Sequence, residues 1–163
     1  MQGLSLPYLP VSEFPPNLFA PCGGDGDPVG NALEEQWTGF EKRQARVLVV
    51  DDAPDVLEMF SMMLKLSGYD VEVAASAIEA LEQVRSAQFD VIVSDIGMPE
   101  MNGYELARRL RQMPDYASIP MIAVTGFAMY KDQTQALESG FNAHLSKPVN
   151  PTTLLDLIEQ LRK

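Results

Sequence analysis

The chain has 163 residues, 46% hydrophobic and 21% charged, which leaves room for one ordinary soluble domain with a self-sufficient core. Its 23 acidic and 12 basic residues give a formal net charge of −11. That balance argues against direct nucleic-acid binding, which needs clustered Lys and Arg, and favours a divalent cation or a basic protein surface.

In chain order, the first 45 residues stand apart. They hold Pro7, Pro10, Pro15, Pro16, Pro21 and Pro28 and the run Cys22-Gly23-Gly24-Asp25-Gly26-Asp27. Prolines at this density remove backbone donors, so a Pro/Gly-rich tail or linker is expected over 1–45. Leu4, Leu6, Tyr8, Leu9, Phe14, Leu18 and Phe19 make it less polar than most such segments and suited to docking. Residues 31–44 read as a short helix capped by Asn31 and weakened by Thr38 and Gly39. The lone Cys22 cannot close an internal disulfide. The start has no basic leading segment, so it does not read as a signal peptide. All apolar runs fall far short of the roughly 20 residues of a membrane helix. A cytoplasmic protein without a membrane partner is the expectation.

From Arg46 the pattern becomes rhythmic. Strand-length apolar runs at Val47–Val50, Val71–Ala74, Val91–Ser94, Met121–Val124 and Ala143–Ser146 alternate with stretches of helical period. The helices are expected at Pro54–Ser67, Ala77–Ser86, Gly103–Gln112, Met129–Ser139 and Pro151–Leu161. Pro54 and Pro151 suit first helical turns, and Gly68 and Gly140 suit helix ends. Strict alternation predicts a parallel sheet covered on both faces. Five units are too few for an eight-stranded barrel, so an open, doubly wound α/β sheet is expected. Arg108, Arg109 and Arg111 form a local basic cluster, read as a solvated helix face.

In such a sheet, ligands bind beyond the carboxyl ends of the strands. There the chain places Asp51-Asp52 after the first strand, Asp95 after the third, Thr125 after the fourth and Lys147-Pro148 after the fifth. Adjacent carboxylates repel, and a hard cation such as Mg²⁺ resolves the conflict by taking carboxylates together with phosphate oxygens and water. Lys147 supplies a point charge for a phosphate and Thr125 a hydroxyl donor. Asp95 is then the carboxylate nucleophile for phosphoryl transfer. Each residue alone has a plain explanation as a cap, turn or loop residue. Their joint placement after four strands of one sheet does not.

These segments resemble the receiver domain of two-component response regulators. Val47-Leu-Val-Val-Asp51-Asp52 is similar to the family's opening strand and acidic pair, and Asp95-Ile-Gly-Met-Pro99-Glu-Met-Asn-Gly103 to its phosphoacceptor segment. Ala123-Val-Thr125-Gly and Leu145-Ser-Lys147-Pro148 are similar to its hydroxyl strand and lysine-proline ending. The resemblance spans residues 46–163. It implies a flavodoxin-like sheet of order 2-1-3-4-5, with Asp95 as phosphoacceptor, Asp52 as a direct Mg²⁺ ligand and Asp51 as one through water. It also implies the Gly97 backbone carbonyl as a further ligand, Thr125 and Lys147 at the phosphoryl group, and a cis bond before Pro148. The family's switch pairs Thr125 with an aromatic residue three positions before the lysine. Here that position holds His144, which suits a pH-sensitive switch. Phe127 and Gly97 are expected to govern access of water.

The resemblance further implies a histidine kinase or histidine phosphotransfer protein as phosphodonor and a downstream protein as target. On the first helix, Val56, Met59, Phe60, Met63 and Leu64 make a core-facing stripe at 100° per residue. Leu57, Met62 and Leu66 widen the apolar arc into a docking surface. The competing expectation is a phosphorylation-independent pseudo-receiver acting as a binding module. A Mg²⁺-dependent phosphohydrolase of the haloacid-dehalogenase type would need an aspartate where Gly97 stands.

Overall fold

The computed structural model describes residues 43–126 and 130–163. Residues 1–42 of the tail expected over 1–45 and of the short helix expected over 31–44, together with Phe127 and Met129, lie outside the described residues; residues 43–45 are described and hold no regular element. The elements are β1 (Arg46–Val50), α1 (Pro54–Leu66), β2 (Asp70–Ala74), α2 (Ala77–Ser86) and β3 (Val91–Asp95). They continue with α3 (Gly103–Arg111), a 3₁₀ turn (Pro114–Tyr116), β4 (Met121–Thr125), α4 (Tyr130–Ser139), β5 (Ala143–Ser146) and α5 (Pro151–Leu161). The 3₁₀ turn is an element the apolar periodicity does not reveal. Elsewhere the boundaries differ from expectation by about a residue, as is usual at frayed ends.

All four strand pairings are parallel, and the order is β2-β1-β3-β4-β5. This is the doubly wound sheet the alternation predicts. Val47 to Val50 are all buried, because both faces of the sheet are covered and a central strand has no solvent side. Successive side chains go to opposite cores. Leu48, Val50, Ile92 and Ala123 pack with Ala80, Leu106 and Ala136 of α2, α3 and α4. Val47, Val49, Val91 and Ile122 pack with Phe60 and Leu64 of α1 and Leu154 of α5.

Local chemistry sets the helix ends. The side chains of Ser76, Asn102 and Asn150 accept from the backbone N–H groups of Glu79, Glu105 and Thr152. Pro54 and Pro151 occupy first turns. Gly68 (φ 87°) and Gly140 (φ 113°) end α1 and α4 in the left-handed region that other residues avoid.

Two expectations are corrected. On α1, Phe60 and Leu64 are buried and Val56 and Met63 pack against the core as expected, whereas Leu57 is buried and Met59 is 52% exposed; Leu57 and Met59 exchange the places expected of them. Apolar residues surround most of this helix, so periodicity admits two stripes, and only the sheet beneath selects one. The outward side carries Met59, Met62 and Leu66 at i, i+3 and i+7. On α3, Arg108 and Arg109 are exposed as expected, but Arg111 is partly buried and is not part of a solvated face.

Candidate functional site

The strand order reverses between β1 and β3, and the carboxyl ends of these strands carry Asp51 and Asp95. Asp51 follows Val50 directly, and its Oδ1 accepts from the N–H of Ala53 at 2.9 Å. That bond holds the turn leading into α1, whose N-cap Ala53 has no capping side chain of its own. Asp95 is the last residue of β3, paired with Val124 of β4. Thr125 ends β4 opposite Ser146, and its carbonyl accepts from the N–H of Lys147 at 2.8 Å. The chain then passes through a cis Lys147–Pro148 bond.

The side chains of Asp51, Asp52, Asp95 and Lys147 meet. Ligand oxygens of Asp51, Asp52 and Asp95 lie within 4.8 Å of one another. Lys147 Nζ donates to Asp51 Oδ2 at 2.8 Å and lies 3.3 Å from Asp95 Oδ1. Asp51 is 2% exposed, Asp95 7% and Thr125 3%, while Asp52 is exposed. Burial pushes the Asp95 carboxyl above its ordinary value; Lys147 pulls it back and Asp51 adds to the rise. For Lys147, burial works to lower the ammonium, but the hydrogen bond to Asp51 and the charges of Asp95 and Asp51 outweigh it and raise it.

One lysine thus contacts two buried carboxylates, and an exposed third lies beside them. The donor set is all oxygen, the acids are in excess, and one of them opens to solvent. That fits a hard divalent cation with water in its remaining positions. Gly97, whose carbonyl the resemblance adds to the set, is exposed two residues past Asp95.

His144 pairs with Ala123. Its neighbours Ala143 and Leu145 pack on the α1 and α5 side, so the imidazole points to the α4 side of the sheet. Its Nε2 is shielded from solvent and has no hydrogen-bond partner among the described residues.

Two features beside Asp95 escape sequence reasoning. Ser94 Oγ donates to the Asp95 carbonyl at 2.9 Å. Gly103, the first residue of α3, lies so close that a Cβ there would stand 2.3 Å from that same carbonyl. The following loop is folded back by bonds from Gly103 N to Ile96 O (3.0 Å) and from Met101 N to Pro99 O (2.8 Å), with Glu100 at φ 67°. The asparagine cap before Gly103 marks a helix start in sequence; nothing local marks the contact with Asp95.

Comparison with known proteins agrees with this geometry. A family described as "Response regulator receiver domain" matches residues 47–159. An uncharacterized 14.6 kDa protein of Leptolyngbya boryana is 44% identical over 117 residues, covering 72% of this chain and 89% of its own. The sensor histidine kinase RcsC of Escherichia coli is 37% identical over 114 residues, which are 70% of this chain but only 11% of the kinase. Among solved structures, the chemotaxis protein CheY4 of Vibrio cholerae superposes with a TM-score of 0.70 at 36% identity, over 72% of this chain and 98% of that one. With the sheet order and the matched segment in agreement, the chain belongs to the response regulator receiver domain family of two-component signalling.

Proposed function

We propose that this receiver takes a phosphoryl group from a phosphohistidine of a histidine kinase or histidine phosphotransfer protein onto Asp95, with Mg²⁺ bound beside it. The observation that carries this reading is the meeting of the Asp51, Asp52 and Asp95 oxygens within 4.8 Å, with Lys147 Nζ in reach of two of them. An oxygen of Asp95 forms the new bond to phosphorus while the bond from phosphorus to the donor's imidazole nitrogen breaks. Asp51, Asp52, Asp95 and the Gly97 carbonyl would hold the metal, which when bound neutralises charge on the phosphoryl oxygens. Lys147, already 3.3 Å from Asp95, is near enough to add a second positive charge there. The Thr125 hydroxyl, at the end of the adjacent strand, donates to a phosphoryl oxygen.

His144 is the side chain we assign to the response. A shielded imidazole nitrogen without a partner is unfavourable, and an inward turn toward Thr125 offers it one. Met59, Met62 and Leu66 form the face on which the phosphodonor's helices dock. It lies on the helix that begins directly after Asp51 and Asp52, and its thioethers adapt to irregular partners.

Incubation with Mg²⁺ and acetyl phosphate followed by intact mass measurement tests the central step. One added phosphoryl is expected, absent in Asp95→Ala. No gain in the unaltered chain would favour the pseudo-receiver reading. Met62→Ala with Leu66→Ala should slow transfer from the protein donor and leave labelling by acetyl phosphate unchanged; equal rates with both donors would remove the docking assignment. His144→Ala should keep the mass gain and lose the phosphorylation-dependent shift of the Thr125 amide resonance. A retained shift would exclude His144 as the responding side chain.

A further inference from the structure

Arg111, in the last turn of α3, makes a set of bonds that phosphoryl chemistry does not explain. Its Nε and Nη2 donate to the Gly140 carbonyl at 2.9 and 2.6 Å. Nη2 also donates to Asn142 Oδ1 at 2.8 Å. Nη1 reaches the carbonyls of Tyr116 (2.9 Å), Ile119 (2.7 Å) and Ala117 (3.3 Å). All of these partners are neutral oxygens. Burial lowers the guanidinium from its ordinary value, yet a group that titrates so high stays charged.

The effect is to join three segments: the end of α4, the turn into β5, and the approach to β4. Gly140 terminates α4, and carbonyls at a helix C-terminus attract a cation. A Cβ at Gly140 would meet Arg111 Cγ at 2.7 Å, so the glycine and the arginine fit each other. Asn142 Oδ1, besides receiving Arg111, accepts from Met121 N at 2.9 Å, and Asn142 N donates to Met121 O at 2.7 Å.

The other end of α3 is held differently. Gly103 abuts the Asp95 carbonyl. The adjacent Tyr104, which is buried, reaches α4 through its hydroxyl at 3.5 Å from the Asp132 carbonyl. That is the outer limit of a hydrogen bond. Among the described residues, α3 is therefore tied to the far end of α4 by two short, charge-assisted bonds to the Gly140 carbonyl, whereas its Tyr104 hydroxyl stands at the limit of hydrogen bonding from the Asp132 carbonyl near the other end.

We propose that Arg111 is a positioning residue that makes the C-terminal end of α4 a fixed pivot, so that a change at Asp95 and Thr125 displaces the beginning of α4 and not its end. The inference rests on Asp95 being the phosphoacceptor. Its consequence is directional: the surface presented to a downstream protein changes beside the site, while Leu137 to Asn142 stay in register with β4.

Hydrogen exchange on the full chain tests this in two arms. Without phosphodonor, Arg111→Gln should speed exchange of the Gly140, Phe141 and Asn142 amides by about tenfold, and Arg111→Lys by less, since one ammonium cannot bridge three segments. Unchanged exchange there in both variants would overturn the pivot. With Mg²⁺ and acetyl phosphate, the unaltered chain should change by about threefold at Asp132 to Gln135 and stay constant at Leu137 to Asn142. In Arg111→Lys the change should spread across both. Equal change at both ends of the unaltered helix, or confinement in Arg111→Lys, would overturn the proposal. Intact mass taken on the same samples separates these results from a failure to phosphorylate Asp95. In that event the first arm still decides whether Arg111 holds the end of α4, and the Lys variant serves if the Gln variant fails to fold.

Discussion

Both ends of β1 set one cation among several acids, one end near solvent and the other under cover. At its start, Arg46 is surrounded by three acids, Asp70, Glu72 and Asp90, that stay partly open to water. Its Nε donates to Asp70 at 3.1 Å, its Nη2 pairs with Glu72, its Nη1 donates to the Gln88 carbonyl, and its guanidinium lies 5.2 Å from the Phe89 ring centroid. Its backbone N–H donates to Asp90 Oδ2 at 2.7 Å. These groups remain partly open to water, so their pairing is inexpensive and modest in energy. At the end of the same strand, Asp51 and Asp95 are buried and share the single ammonium of Lys147. Charge near solvent, where water relieves the excess of acids, ties β1 to β2 and to the start of β3. The same excess of acids under cover keeps carboxylates in an environment that a cation would relieve, as the proposed metal-assisted phosphoacceptance requires.

The sharpest way to break this contrast is to remove Lys147. In Mg²⁺-free buffer, Lys147→Ala should lose about 3 kcal/mol in urea unfolding, because two buried carboxylates lose their counter-charge. Added Mg²⁺ should restore part of that loss. A loss below about 1 kcal/mol would mean that the carboxylates do not depend on the lysine.

Asp95→Asn should act in the opposite direction, raising stability by about 1 kcal/mol at pH 7 without metal. The sign follows from the raised carboxyl of Asp95. Folding favours its protonated form, so its contribution is full below the ordinary value near 3.9 and is lost as pH rises through the higher folded value. The gap between the variant and the unaltered chain should therefore be smallest near pH 4 and widen above it. An Asn variant less stable than the unaltered chain at pH 7 would contradict the burial argument.

The smallest effect belongs to the other end of the strand. Arg46→Ala should cost about 1 kcal/mol and less in high salt, since its ion pairs are partly exposed and screened. A cost as large as that of Lys147→Ala, or one insensitive to salt, would erase the distinction between the two ends.

The candidate site was largely legible in sequence because its residues sit at positions that local pattern defines. Asp51, Asp95 and Thr125 end apolar runs or follow them directly, and Lys147 follows Ser146 at the end of the last one. The parallel order of the sheet places those ends together. The face of α1 was legible except where Leu57 takes the place expected of Met59. Leu57 and Met59 are equally apolar, and which of them meets the sheet depends on how the helix is rotated upon it. Arg111 was misjudged for a related reason: its partners at Gly140 and Asn142 lie 29 and 31 residues away, beyond any local signal. Gly103 reads as a helix start, while its approach to the Asp95 carbonyl depends on how the loop between them folds back.

The sequence by itself determined the alternation of strands and helices, the caps that delimit them, and the chemical groups delivered to one edge of the sheet. These follow from side-chain period and short-range backbone hydrogen bonding, which act within a few residues. Only the tertiary structure decided that Asp51 and Asp95 are buried while Asp52 is not, that Lys147 rests on Asp51, and that Arg111 clamps α4. Burial and the electrostatics that follow from it depend on every element packed around a group, and most of those elements are distant in the chain.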